Sequence, residues 1–215
     1  MTVITGVPGP AIVDAAHDVD LIVMAMRGDG VTPALVGGTA DHVARHAPVP
    51  TLLVRDVPAT PIERLLVPLD GSERSEEAIP LAATIGRQVG AAILLVRVID
   101  PSTSIAPARE LQDEAETYLR RQATQIRDVD RVGYDVLVRR AGTVAECLLG
   151  LARPGDLFVL ASRRRTRIAQ LLLGSVTASI VRSAPIPVVL VPGIPRGIVS
   201  ALHAAAHGPG HPDAE

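Results

Sequence analysis

A chain of 215 residues, 47% apolar and 20% charged, is long enough for one large globular domain or for one domain and part of another, and too apolar for a disordered chain. Its formal net charge of −2 excludes a global electrostatic pull toward nucleic acid or anionic membrane. Aromatic residues make up only 1%, so Val, Leu, Ile and Ala must fill the core, and these suit a parallel sheet covered by helices on both faces.

In chain order, "TVIT", "LIVMAM" and "PTLLV" read as three short apolar strands within residues 1–56, with two helical segments between them. "DVPATPIE" carries prolines at 58 and 61 and gives a linker over 57–63. From residue 64 strand and helix alternate cleanly. "RLLVPLD" (64–70) is an apolar run that ends in Asp70-Gly71-Ser72, a helix-entry turn. "SEEAIPLAATIGRQVG" spaces Ala78, Leu81, Ala82 and Ile85 helically and stops at Gly90. "AAILLVRVID" (91–100) is the next strand. Residues 107–128 then put Leu111, Ala115, Tyr118, Leu119, Gln122 and Ile126 on one helical stripe, with Glu116 and Arg120 as an i,i+4 pair. "YDVLVRR", "TVAECLLGLAR", "DLFVLAS", "SVTASIVRSA" and "PVVLVP" continue as strand, helix, strand, helix and strand. Residues 194–215, rich in Gly and Pro, read as a flexible tail.

The order βαβαβαβαβ over 64–193 predicts an α/β fold: a five-stranded parallel, Rossmann-like sheet with right-handed crossovers and helices on both faces. Ligands of such sheets bind beyond the carboxyl ends of the strands, where the strand order reverses. The loops that begin at Asp70, Val98, Gly142 and Ala161 all lie at that edge.

Residues 1–56 read as a partial copy of the end of this domain. Residues 6–28 align with 142–164 at a constant offset of 136, with Gly6, Ala16, Asp20, Leu21, Val23, Ala25 and Arg27 recurring as identical residues. After one single-residue gap, residues 37–55 align with 174–192, and Gly37, Arg45, Ala47, Pro48, Pro50, Leu53 and Val54 recur. The copy supplies three strands and two helices. Nothing in it matches residues 64–133, so it reads as a tandem unit whose first part was deleted or is encoded upstream.

Several features carry no site on this reading. All 21 basic residues are arginine, and both lysine and asparagine are missing. Codon bias toward GC explains this, so arginine abundance by itself is not phosphate recognition. Arg163–Arg167 has no interleaved aromatic residue, which argues against a nucleic-acid patch. Cys147, a lone cysteine among apolar neighbours, reads as a buried, inert thiol in a reducing compartment. His42 and His46 are spaced i,i+4 but read as a solvated helix face beside an Asp41–Arg45 pair. His203, His207 and His211 are not aligned as ligands, because Pro209 interrupts any helix there. No metal site is assigned. No basic segment precedes an apolar leader and no apolar run approaches a membrane span, so a cytoplasmic protein is expected.

"VPLDGSERSEEAI", "LLVRVIDP" and "GSVTASIVRSAPIPVVLV" together resemble the universal stress protein family, over 64–192 as a whole domain and 2–55 as the second half of another. The resemblance implies a stress-response regulatory role, no catalytic residue, and ATP as a bound nucleotide, with Mg²⁺ as its companion cation. Members that bind ATP share a loop of the form G-x2-G-x9-G-(S/T). Glycines there let backbone approach phosphate, and Gly-Ser opens a helix N-terminus toward negative charge. By position the implied nucleotide contacts fall on Pro68, Asp70, Val98, Leu160, Ala161, Arg163, Arg164, Gly174, Ser175, Val176 and Thr177.

The loop departs from the pattern at Ala161 and Arg164, which stand where glycines belong. A non-glycine residue at positive φ costs roughly 1–2 kcal/mol, and the Arg164 side chain would enter phosphate space. Against that, Arg163, Arg164, Arg165 and Arg167 offer charge-assisted donors. Two readings therefore stand: an ATP-binding regulator, or an interaction module of the same fold that has lost nucleotide. A hydrolytic enzyme is disfavoured, because no water-activating carboxylate is evident besides Asp70. The partial copy keeps a vestigial site in Ala25, Gly28, Gly37, Gly38 and Thr39, without a strand-one aspartate. The resemblance also implies that last strands pair, in a homodimer or between the two units of one chain, with "PTLLV" facing "PVVLV".

Overall fold

The computed structural model describes residues 3–26, 38–55, 60–102, 106–130, 132–162 and 173–193. The first two helices and strands are α1 (Pro8–Ala15), β1 (Ile22–Ala25), α2 (Thr39–His46) and β2 (Thr51–Val54). They are followed by β3 (Arg64–Pro68), α3 (Glu73–Glu76), α4 (Ala78–Val89), β4 (Ala92–Ile99), α5 (Ala108–Asp130) and β5 (Tyr134–Arg140). The chain closes with α6 (Val144–Leu151), β6 (Asp156–Ala161), α7 (Ser175–Ser183) and β7 (Val188–Val191).

All the strands join one seven-stranded sheet in the order β1-β2-β7-β6-β3-β4-β5. Within residues 64–193 every pairing is parallel, and β3 lies between β4 and β6. Chain order therefore reverses direction at β3. Leu65, Leu66 and Val67 alternate between the two faces of the sheet, yet each is 0% exposed. That is why β3 reads as an unbroken apolar run rather than an alternating one.

One face packs Leu65, Val67, Leu95 and Val159 against Ala78, Ile79, Ala82 and Ala83 of α4 and Leu119, Ala123 and Ile126 of α5. The other packs Leu66, Phe158, Leu160 and Leu190 against Leu148 of α6 and Ile180 and Val181 of α7. Leu53 and Ala44 belong to this second layer, so the N-terminal segment extends it. At the sheet's end Ile22 packs with Ala16, Val43 and Ala47.

The joint between the segments is β2, which runs antiparallel to β7 with Thr51 opposite Leu190, Leu52 opposite Val189 and Leu53 opposite Val188. "PTLLV" thus lies against "PVVLV" inside one chain. Arg55 reinforces the joint: its guanidinium donates to the carbonyls of Val181 (3.2 Å) and Arg182 (2.7 Å) at the end of α7. The expected five-stranded parallel sheet is in this way part of a larger mixed one.

The two segments share their internal geometry. β1 pairs with β2 in parallel at Ile22↔Thr51, Val23↔Leu52, Met24↔Leu53 and Ala25↔Val54. β6 pairs with β7 at Phe158↔Val188, Val159↔Val189, Leu160↔Leu190 and Ala161↔Val191. These are the same four pairs once the offsets of 136 and 137 are applied.

Four local expectations are corrected. "TVIT" forms no strand over Val3–Thr5, the described part of it, so the described residues of the N-terminal segment bring two strands instead of three. A four-residue apolar stretch cannot hold an extended ladder without a neighbour, and Val3 and Ile4 stand 84% and 55% exposed. The helix expected from residue 75 is two helices, α3 and α4, with Pro80 in the first turn of the second. Cys147 is half-buried, because the buried positions of α6 are Ala145 and Leu148 and the thiol lies beside that stripe. His42 and His46 are also half-buried: their rings stack with centroids 4.2 Å apart, and His42 lies where a side chain on Gly9 would collide with it. The Asp41–Arg45 and Glu116–Arg120 pairs form as expected. Of the linker, Glu63 is tied down, its amide donating to the Gly155 carbonyl at 2.8 Å. The tail at 194–215 lies outside the described residues.

The β2·β7 joint carries one imperfection. Thr51 is 2% exposed and its hydroxyl has no hydrogen-bond partner among the described residues, whereas its counterpart across the repeat is Val188. Thr51→Val should raise unfolding stability by about 1 kcal/mol by removing an unpaired buried hydroxyl. Leu53→Ala, at 2% exposure, should lower it by about 2–5 kcal/mol. Urea titration checks both, and a single shifted transition is expected, because the sheet is continuous.

Candidate functional site

A cleft of about 940 Å³ opens at the carboxyl ends of β3, β4 and β6, where chain order reverses. Parallel α/β sheets leave this crevice because crossovers depart to opposite faces on either side of it. Pro68 ends β3 and Asp70 follows in the turn; Val98 lies near the end of β4; Leu160 and Ala161 end β6. Gly174 precedes α7, and Ser175, Val176 and Thr177 form its first turn. These nine positions all line the one cleft. Arg163, Arg164, Arg165 and Arg167 lie outside the described residues, as do Gly28 and Gly37.

The turn after β3 is shaped by its own side chains. The Ser72 amide donates to Asp70 Oδ1 at 2.9 Å, and the Ser72 hydroxyl donates to the same oxygen. Ser72 Oγ in turn accepts from the Ser75 amide at 3.2 Å and so caps α3. Gly71 sits at φ 83°, and a Cβ there would stand 3.1 Å from Arg97 Nη1. Glycine is therefore required twice, by the backbone and by the approach of Arg97. Burial works to raise the Asp70 pKa, but the Ser72 and Ser75 hydrogen bonds and the nearby Arg97 charge outweigh it. The carboxyl is held below its ordinary value.

Arg97 and Tyr118 are among the cleft residues that the sequence did not single out. Arg97, on β4 between Val96 and Val98, donates to the Leu69 carbonyl at 3.3 Å. Tyr118, on α5, donates to Glu76 Oε1 at 2.9 Å. Burial, then its bond to the Glu76 carboxylate, pushes the Tyr118 phenol well above its ordinary value, so it stays a neutral donor. Arg97 was legible as the strand residue next to Val98. Tyr118 was legible only as a member of the α5 stripe.

Gly174, the N-cap of α7, contributes no side chain over the N-terminal turn, and among the described residues no side chain caps it. The first-turn amides and the helix dipole are thus available to a negatively charged group. Of the vestigial set, Ala25, Gly38 and Thr39 are among the described residues. Ala25 ends β1 and is exposed, and Gly38 and Thr39 begin α2. Among the described residues no strand stands beside β1 on the side where β3 flanks β6.

An open α/β sheet with a cleft at its reversal point defines the class. The universal stress protein family model matches residues 1–55 and 61–192, and the chain belongs to that family. It is 30% identical over 196 residues to universal stress protein Rv1996 of Mycobacterium tuberculosis, a match covering 84% of this chain and 61% of the relative. The chain thus spans about three fifths of the length of that curated relative. Among solved structures it is similar to a universal stress protein of Archaeoglobus fulgidus (TM-score 0.58, 19% identity, 84% of this chain and 63% of that one). It is also similar to a universal stress protein solved in complex with cAMP (TM-score 0.50, 21% identity, 62% of this chain and 98% of that one). These structural likenesses concern the fold. Among the described residues no helix is long and apolar enough to cross a membrane.

Because the folded Asp70 carboxyl is depressed, its contribution to stability is fully present above the ordinary aspartate value of 3.8 and is lost as pH falls through the lower folded value. Asp70→Asn should therefore destabilise most near neutral pH, and its difference from the native chain should shrink in acid. Urea midpoints between about pH 6 and about pH 2.5 check this.

Proposed function

We propose that the chain is a cytoplasmic, non-enzymatic regulator of the stress response that binds an adenine nucleotide, ATP foremost, in the cleft beyond β3, β4 and β6. The observation that carries this is the convergence of Pro68, Asp70, Val98, Ala161 and the Gly174–Thr177 run on one cleft. Its volume of about 940 Å³ lies in the range of small-molecule sites. The described residues suit a nucleotide: Asp70 is an ionised acceptor for amino or hydroxyl groups, Arg97 is a cation beside it, and uncapped α7 amides suit phosphate oxygens. A relative of the same fold was solved with cAMP, which supports a nucleotide as the ligand class. Bound ATP would supply no chemistry of its own here; its binding and release would be the signal.

The same reading treats residues 1–56 as a truncated first unit of a tandem protein, on the strength of the shared register of β1·β2 and β6·β7. The β2·β7 pairing then joins the two units within the chain and takes the place that a homodimer contact would fill. A second reading, an interaction module without nucleotide, is favoured by Ala161 at the position where the loop pattern has glycine.

Equilibrium dialysis of the purified chain with labelled ATP separates the two. Saturable binding is expected, weakened about tenfold or more by Asp70→Ala, as for loss of a charged hydrogen-bond acceptor. Absence of binding at millimolar nucleotide would leave the interaction module. ATP turnover that depends on Asp70 would overturn the non-enzymatic reading.

A further inference from the structure

Gly193, just past the end of β7, is buried and does not have a left-handed φ, so its backbone does not call for glycine. The reason for glycine is an arginine. A Cβ on Gly193 would stand 1.5 Å from Arg74 Nη1 and 2.6 Å from Arg74 Cζ, inside the guanidinium group. Residue 193 is bare, and the cation of Arg74, from the short helix α3, occupies the place of its side chain.

Strand order says where that cation lies. Helix α3 follows β3 and Gly193 follows β7, and β6 stands between those two strands. The Arg74 side chain therefore spans the carboxyl end of β6, where Ala161 stands and the Ser162 amide donates to the Val191 carbonyl at 2.8 Å. Arg74 and Ala161 line the same cleft. The arginine is also held from its own side, because Nη1 donates to Glu77 Oε2 at 3.2 Å. A guanidinium seated in this way has given up rotamer freedom on folding, so a ligand that meets it incurs a smaller entropic cost. Charge is sorted along the cleft as a result. Among the described residues that line it, the acidic groups Asp70, Asp100 and Glu114 belong to the β3, β4 and α5 side, with Arg97 among them, while Arg74 reaches the β6–β7 end.

We propose that Arg74 binds the phosphate groups of the nucleotide, so that the cleft prefers a nucleotide to its nucleoside. The inference rests on the reading of this cleft as a nucleotide site. It gives the departure at Ala161 a counterpart: a methyl group there limits the approach of backbone to phosphate, and a charged fork above it supplies donors from a side chain instead. The competing account is structural, with Arg74 only pinning the exit of β7 against α3. The two accounts differ in which ligand notices the loss of the arginine. A phosphate contact matters to ATP and not to adenosine, whereas a change in the shape of the cleft matters to both.

Titration calorimetry of the full chain with ATP and, separately, with adenosine tests this. The native chain should bind ATP the more tightly. Arg74→Gln should weaken ATP about tenfold or more, as for loss of a charged donor, and leave adenosine within about twofold. Gly193→Ala keeps the charge but drives the guanidinium off its seat, and should also weaken ATP while sparing adenosine. Glu77→Gln breaks the ion pair within the segment and keeps the cation, so ATP affinity should stay within about threefold. The Arg74–Glu77 pair is partly exposed, so these variants should keep the native circular dichroism spectrum and nearly the native urea midpoint. Should Arg74→Gln fail to fold, Gly193→Ala decides by the same comparison of ATP with adenosine. ATP binding that Arg74→Gln leaves unchanged would overturn the proposal and leave the nucleotide site standing. Equal losses for ATP and adenosine would overturn it in favour of the structural account. A native chain that saturates with neither ligand at millimolar concentration would remove the nucleotide reading, and the proposal with it.

Discussion

Everything in this molecule is arranged around β7, which is paired on both edges, parallel to β6 and antiparallel to β2. Val188, Val189, Leu190 and Val191 are all buried to 2% exposure. An apolar strand of that kind at the end of a sheet would be a template for unwanted pairing, and β2 removes that liability. At the repeat offset Leu52 is the counterpart of Val189, its partner across the ladder. The joint is therefore centred on an approximate two-fold axis, and each strand sees in the other nearly its own sequence. A self-complementary contact of this kind is what a symmetric dimer uses, here made within one chain.

The same symmetry explains why the two ends of the sheet differ. At the far end only Val138 of β5 is fully buried, and Asp135, Arg139 and Arg140 are exposed along it. Charges of that kind protect an edge strand. β1 was built like β6, an interior strand, and "LIVMA" carries no such protection. Its inner face is well covered by α1 and α2 through Ile22, Val43 and Ala47. Among the described residues nothing equivalent to β3 or α4 packs on its outer face.

The sequence was most informative where burial is uniform. Runs such as "RLLVP" and "DLFVLA" have no alternation because both faces are covered, so their placement in a parallel sheet follows from composition alone. Loop chemistry located the cleft as well, since Asp70-Gly71-Ser72 and Gly174-Ser175 are helix entries at the carboxyl edge. Local pattern failed where a residue's state depends on a distant neighbour. "TVIT" has strand composition but nothing to pair with. Cys147 has apolar neighbours in sequence but lies off the buried stripe of its helix, and His42 is held in by the missing side chain of Gly9. Tyr118 belongs to the cleft only because α5 crosses above Glu76, a contact 42 residues away along the chain.

Helix α7 connects the joint to the cleft. Its last carbonyls are held by Arg55 of the N-terminal segment, and its first turn lines the cleft through Ser175, Val176 and Thr177. Ile180 and Val181, between those ends, are 0% exposed in the same layer as Leu53 and Leu190. A nine-residue helix fixed at its carboxyl end and along its buried face has little freedom left at its amino end, because interiors are close-packed and transmit displacement. Any shift of β2 along β7 would move the Arg55 anchor and with it the direction of the first-turn amides. Through Arg55 the N-terminal segment thus helps to orient the cleft of its neighbour.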